Sequence, residues 1–170
     1  MADPEPVVIT VEVGGAEGAR LRWAPRSADD GNGAARSSPW ELEAEPDWDR
    51  LESIRLVSAL FDDGGALGLA VLRPRHARGH DEDVVVARLV NAEGEQVPIS
   101  EALVSLEYDA DAAPRRLGLE LWQDPDSSPR RIAADRAGEP ARASDRESVP
   151  MRFRLDGVDG TGLYEILRPA

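Results

Sequence analysis

The chain has no cysteine, which excludes disulfides, thiolate nucleophiles and sulfur-ligated zinc and is compatible with a reducing compartment. It has no lysine either: its twenty basic residues are all arginine, set against thirty-three acidic ones for a net charge of −13. A surface of that sign repels nucleic acid and anionic membranes, so neither is an expected partner. A GC-rich genome or adaptation to salt each explains the arginine-rich, alanine-rich usage, and neither bears on a reaction. No apolar run approaches membrane-spanning length, which speaks against membrane insertion. The acidic, proline-rich start MADPEP differs from a secretory leader, which carries a basic segment and then an apolar one. The expectation is a soluble, cytoplasmic protein. Also missing are a phosphate-cradling glycine loop, a G-x-S-x-G elbow, an H-E-x-x-H pair and any convincing amphipathic helix.

What is present reads as strand after strand. The longest weakly charged stretch, residues 51–73, is cut once by Asp62-Asp63-Gly64-Gly65, a tract suited to the positive φ values of a hairpin turn. On its first arm Ile54, Leu56 and Leu60 share one face and Val57, Ala59 and Phe61 the other, so both faces are apolar and both need cover. A second layer, a partner subunit or a hydrophobic ligand would supply it.

Upstream, Val7, Ile9, Val11 and Val13 alternate with more polar residues, Ala19, Leu21 and Trp23 alternate with arginines, and Trp40, Leu42 and Ala44 alternate with glutamates. Downstream come residues 83–90, then Ala102 to Tyr108, Arg116 to Trp122, Met151 to Leu155 and a closing LYEIL. Polar, small-residue stretches at 24–38 and 123–149 read as flexible loops, the second with a short strand near Ile132. The expectation is a single all-β domain over residues 1–170, an antiparallel up-and-down barrel of about eight to ten strands with little helix, or else a sandwich. Closure is the simpler solution because it removes exposed strand edges.

Arg22-Trp23-Ala24-Pro25-Arg26, the run SALFDDGGALGLAVLRP, the run VSLEYDADAAPRRLGLELW and the closing FRLDGVDGTGLYEIL together resemble the C-terminal barrel of the lipocalin-like carotenoid hydratase and tocopherol cyclase superfamily. The resemblance spans residues 19–168. Members carry two such barrels where this chain has length for one, and Ala24 stands where glycine is expected. The resemblance implies a calycin-type pocket for a polyene, prenyl or polyketide-like molecule, with hydration or cyclisation as the chemistry.

Two functions follow as expectations. One is a small cofactor-independent cyclase or isomerase acting on an apolar substrate inside the barrel. The other is a noncatalytic carrier of a hydrophobic ligand, or an assembly module whose second face is covered by another subunit, a homodimer included. Either pocket reading expects an apolar cavity of at least a few hundred Å³.

For catalysis the candidate residues are Glu165, Tyr108 and Asp49. Glu165, between Tyr164 and Ile166, would be a proton donor if it projects inward, where desolvation raises a carboxyl pKa; its alternative is the exterior of an edge strand. Tyr108 shares a parity with Val104 and Leu106, which places its ring inside, as a core residue or a ligand-orienting one. Asp49 reads equally as a turn or cap residue. Trp23, Trp40, Phe61 and Phe153 are the candidate ligand-binding aromatics, with core packing as their alternative. His76 and His80 stand four apart, but in the proline- and glycine-containing segment RPRHARGHDED they read as part of a solvated loop, and no metal is expected.

Overall fold

The computed structural model describes residues 5–25 and 38–170, and the polypeptide is almost entirely antiparallel β. Strands β1 (Val7–Val13), β2 (Ala16–Trp23) and β3 (Trp40–Leu42) pair in that order as a three-stranded sheet. The remaining ten strands are β4 (Leu51–Phe61), β5 (Ala66–Pro74), β6 (Val84–Val90), β7 (Gln96–Val97), β8 (Glu101–Tyr108), β9 (Pro114–Trp122), β10 (Arg130–Arg136), β11 (Ala141–Arg142), β12 (Arg146–Leu155) and β13 (Val158–Leu167). They form one curled sheet in the order β7-β6-β5-β4-β13-β12-β10-β9-β8, with β11 beside β12.

The central hairpin forms where the diacidic-diglycine tract places it. Gly64 takes φ +93°, a region open to glycine and strained for other residues, and the Asp63 carboxylate accepts the Gly65 N–H at 2.9 Å. From there β4 and β5 pair residue against residue, Leu60 with Ala66 back to Ile54 with Leu72. The closing strand β13 returns to the other side of β4, so the first arm of the hairpin sits in the middle of the large sheet.

Alternation then sends the two faces of β4 into two different cores. Val57, Ala59 and Phe61 join Leu67, Leu69, Leu117, Leu119, Leu121, Met151, Phe153 and Tyr164 inside the curl. Ile54 and Leu56 join Leu51, Ala70, Leu72, Trp23, Trp40, Leu21 and Ile9 on its outside. The cover that the second apolar face required is therefore a second layer: the N-terminal three-stranded sheet lies against the outer wall. Trp23 and Trp40 stack there with ring centroids 6.0 Å apart, and each indole N–H is satisfied, Trp23 by the Ser58 hydroxyl at 3.1 Å and Trp40 by the Val57 carbonyl at 2.9 Å. Gly68 admits this packing, since a Cβ on it would lie 2.5 Å from Trp23 Cε2.

Three expectations change. The first strands are not part of the barrel wall but a separate layer over it. The curl is not closed by hydrogen bonds: the sheet ends at β7 and β8, and β6 and β8 come within 8 Å between Cα atoms with no ladder joining them among the described residues. The outward side of β8 carries Glu101, Leu103, Ser105 and Glu107, with Leu103 54% exposed among polar neighbours; the two glutamates discourage unwanted pairing. The stretch 123–149 is far more ordered than its composition suggests. It holds β10, the short strand expected near Ile132, which is flanked by β9 and β12 and needs only Ile132 and Ala134 on its inner face, and beyond it β11 and the start of β12. Of the other expected loop, residues 26–37 lie outside the described residues.

Candidate functional site

The register across the sheet brings together residues that are far apart in sequence. Val85, Val71, Arg55, Ile166, Glu147 and Arg142 are successive cross-strand partners from β6 through β5, β4, β13 and β12 to β11. One step deeper run Ala87, Leu69, Val57, Tyr164 and Val149. The deeper rank is wholly part of the inner core. The outer rank is where charge enters: Arg55 shares its parity with Val57, Ala59 and Phe61, and Glu147 shares its parity with Val149, Met151 and Phe153.

Both charged side chains keep an unanswered atom. Arg55 Nε and Glu147 Oε1 are buried with no hydrogen-bond partner among the described residues. The other Glu147 oxygen is 3.5 Å from Arg142 Nε. Leaving a buried polar atom unpaired costs about 1–3 kcal/mol, so the pair is expensive unless something else meets it. Tyr164 stands beside them; burial pushes its phenol well above the usual range for tyrosine, against the pull of the Arg55 charge. It is therefore a neutral hydroxyl donor at any ordinary pH.

Two hollows meet at this rank. The seam between β6 and β8 opens into a groove of about 350 Å³ whose apolar lining is Val71, Val85, Ala102, Leu103, Val104 and Leu106 and whose polar lining is Arg55, Asp83, Ser105 and Tyr108. A neighbouring cleft of about 340 Å³ is lined by Arg55, Tyr108, Glu147, Tyr164, Ile166 and Arg168. They share Arg55 and Tyr108. The apolar cavity expected inside the barrel is replaced by packing: the axis of the curl is filled by Phe153, Met151, Tyr164 and the leucines of β9, and the hollow of a few hundred Å³ is instead an open groove along the seam.

Of the three candidate catalytic residues, Tyr108 lines both hollows, and Glu165 and Asp49 line neither. Glu165 does not project inward. It lies on the opposite face of β13 from Tyr164 and Ile166, where it is nonetheless buried: Ser38 and Ser148 donate hydroxyls to its two oxygens, and Arg146 Nη1 is 3.7 Å away. The edge-strand alternative fails too, since β13 is an interior strand of the sheet. Tyr108 is 49% exposed rather than inside, because the register shifts between Glu107 and Tyr108 and such an irregularity cancels the parity set by Val104 and Leu106. Asp49 is an exposed turn residue whose N–H donates to the Asp47 carboxylate at 3.2 Å.

The four aromatics divide between the two cores, Trp23 and Trp40 outside, Phe61 and Phe153 inside, and none lines the groove. Phe61 borders a separate hollow of about 110 Å³. His80 belongs to a short 3₁₀ turn, His80–Glu82, that does not reach His76, so the two histidines do not share a helix face. Among the described residues no three metal-ligating side chains cluster, and no described helix is long and apolar enough to cross a membrane.

Arg55 and Glu147 are the residues that sequence reasoning passed over. Their signal was available: each is a charged residue at an inward position of an otherwise apolar strand, and buried charges are rare unless they are used. Compared with known proteins, the sequence matches no family model and no curated relative.

Proposed function

We propose that this protein binds a small, largely apolar molecule in the seam between β6 and β8. The observation that carries this reading is the groove itself, about 350 Å³ with walls of Val71, Val85, Ala102, Val104 and Leu106, a size within the range of small-molecule sites. Retention without chemistry suits it better than cyclisation. A polyene cyclisation needs a closed, water-excluding chamber, whereas this groove is open along an unpaired strand edge.

The test is displacement of an environment-sensitive apolar fluorophore by decanol. Val104→Trp, which fills the groove, should abolish both probe binding and displacement while the protein remains folded. Undiminished binding in that variant would overturn the reading.

A second reading, the cyclase or isomerase of the lipocalin-like resemblance, draws support from one observation. Tyr164 and Glu147 both line the cleft that shares Arg55 with the groove, which brings a phenol and a carboxylate to one hollow. Incubation with linear polyenes and mass spectrometry of the products tests it: a cyclised product lost in Tyr164→Phe supports it, and unchanged polyene recovered from the complex rejects it.

A further inference from the structure

We infer that the ligand of this groove carries, at one end, an uncharged group that both accepts and donates a hydrogen bond, a hydroxyl or a primary carboxamide, seated between Arg55 and Glu147. The inference rests on the groove being a ligand site and goes on to name the ligand's chemical class. Across Ile166, Arg55 and Glu147 are second neighbours in the sheet, so their backbones lie roughly 10 Å apart. Their side chains point to the same interior, and one buried atom of each lacks a partner among the described residues.

The two atoms differ in what they need. Arg55 Nε–H can only donate, and the Glu147 carboxylate oxygen can only accept. A carboxylate head would satisfy Arg55 and face Glu147 with like charge, while an amine would do the reverse. A hydroxyl or carboxamide answers both, and across the two hollows Arg55, Arg142 and Arg168 are balanced by Asp83, Asp111 and Glu147, so the lining asks for no charge on the ligand. The apolar remainder of such a molecule extends from Arg55 along Val71 and Val85 on one wall and Val104 and Leu106 on the other, since Arg55 borders both hollows. Tyr164, held neutral by burial, adds a donor at the polar end.

The experiment compares decanol, decanamide, decyl methyl ether and decanoate by calorimetry on the full chain. Decanol and decanamide should bind about tenfold more tightly than the ether, which accepts but cannot donate, the difference one hydrogen bond makes. Decanoate should bind more weakly than decanol. In Glu147→Met the advantage of decanol over the ether should disappear while the ether keeps its affinity; in Arg55→Met, which removes the donor that both accept from, both should weaken by about the same factor and decanol should keep its advantage, and residual ether binding in each variant shows that it is folded. Equal binding of ether and alcohol by the unaltered protein would overturn the inference and leave the groove as an apolar site. So would decanoate binding most tightly and tighter still in Glu147→Met, the pattern of an anion site. Failure of all four compounds to bind would overturn the groove reading itself, and the inference with it.

Discussion

The two faces of the β4–β5 hairpin carry similar apolar alternation and end in opposite conditions. On the outer face, the three-stranded layer seals the surface: Trp23 and Trp40 are stacked and both indole N–H groups are paired. The one buried carboxylate there, Glu165, is met by Ser38, Ser148 and Arg146. On the inner face the deep positions are equally tight, yet the outermost rank leaves Arg55 Nε and Glu147 Oε1 unmet beside an open seam. Apolar patterning specifies that a face is to be covered. Whether the covering is complete depends on polar atoms, and it is the incompletely answered face that has room for a ligand.

The largest expected effect tests the sealed face. Trp23→Ala removes a fully buried indole and should destabilise the protein by about 3–5 kcal/mol in urea denaturation, while the folded fraction keeps its affinity for decanol. A loss of affinity in step with stability would show that the two faces are not independent.

Next is Glu165→Gln, which disturbs a buried, fully engaged carboxylate; it should cost about 1–3 kcal/mol without altering ligand affinity. Abolished turnover on a polyene in that variant would restore Glu165 as a catalytic acid and blur the division between faces.

Arg55→Met should behave in the opposite way. Removing an unmet buried donor should leave stability unchanged or raise it by about 1 kcal/mol, as read from the urea midpoint, while decanol and its ether both bind more weakly. A strongly destabilised Arg55→Met would mean that the arginine serves the fold.

The smallest effects lie in pH dependence. The Tyr164 phenol has its pKa raised by burial, so the folded state holds this proton more firmly than the unfolded chain. Stability is whole below about pH 10, the unfolded value, and falls as pH rises beyond it. Thermal melts of Tyr164→Phe should show a shallower alkaline decline. Asp109 has the reverse sign. Its hydrogen bond from Arg136 at 2.6 Å and those from the Ala113 and Asp111 amides hold its carboxyl below the ordinary range, against a smaller opposing effect of burial. That contribution is whole above about pH 4 and is lost as pH falls through the lowered folded value. Melts of Asp109→Asn across the acid range should lack this component.

Much of the fold was legible. The alternation of β1, β2, β8, β9 and β12 and the diacidic-diglycine turn identify strands and hairpins directly, because side chains on a strand alternate faces whatever the strand packs against. Strand β10 was legible only as a short strand near Ile132 because, between two neighbouring strands, two inward residues suffice. The candidate site was less legible. Tyr108 was misplaced by an irregularity that no residue pattern announces, and Glu165 by the assumption that a buried carboxylate must face the barrel, when a second layer buries the other side. Arg55 and Glu147 were visible as charges in apolar strands, but not as partners across Ile166, which only the pairing of β4, β13 and β12 establishes.

By itself the sequence determined an acidic, thiol-free, antiparallel β protein whose longest hairpin is apolar on both faces, because composition and period-two patterning are local properties of the chain. The tertiary structure alone decided that the second face is covered by the protein's own first three strands, that the curl stays open between β6 and β8, and that Arg55 lines both this opening and the neighbouring cleft that Glu147 borders. Each of these depends on which strands become neighbours, and strand order is set by long-range packing of the whole chain rather than by any stretch of it.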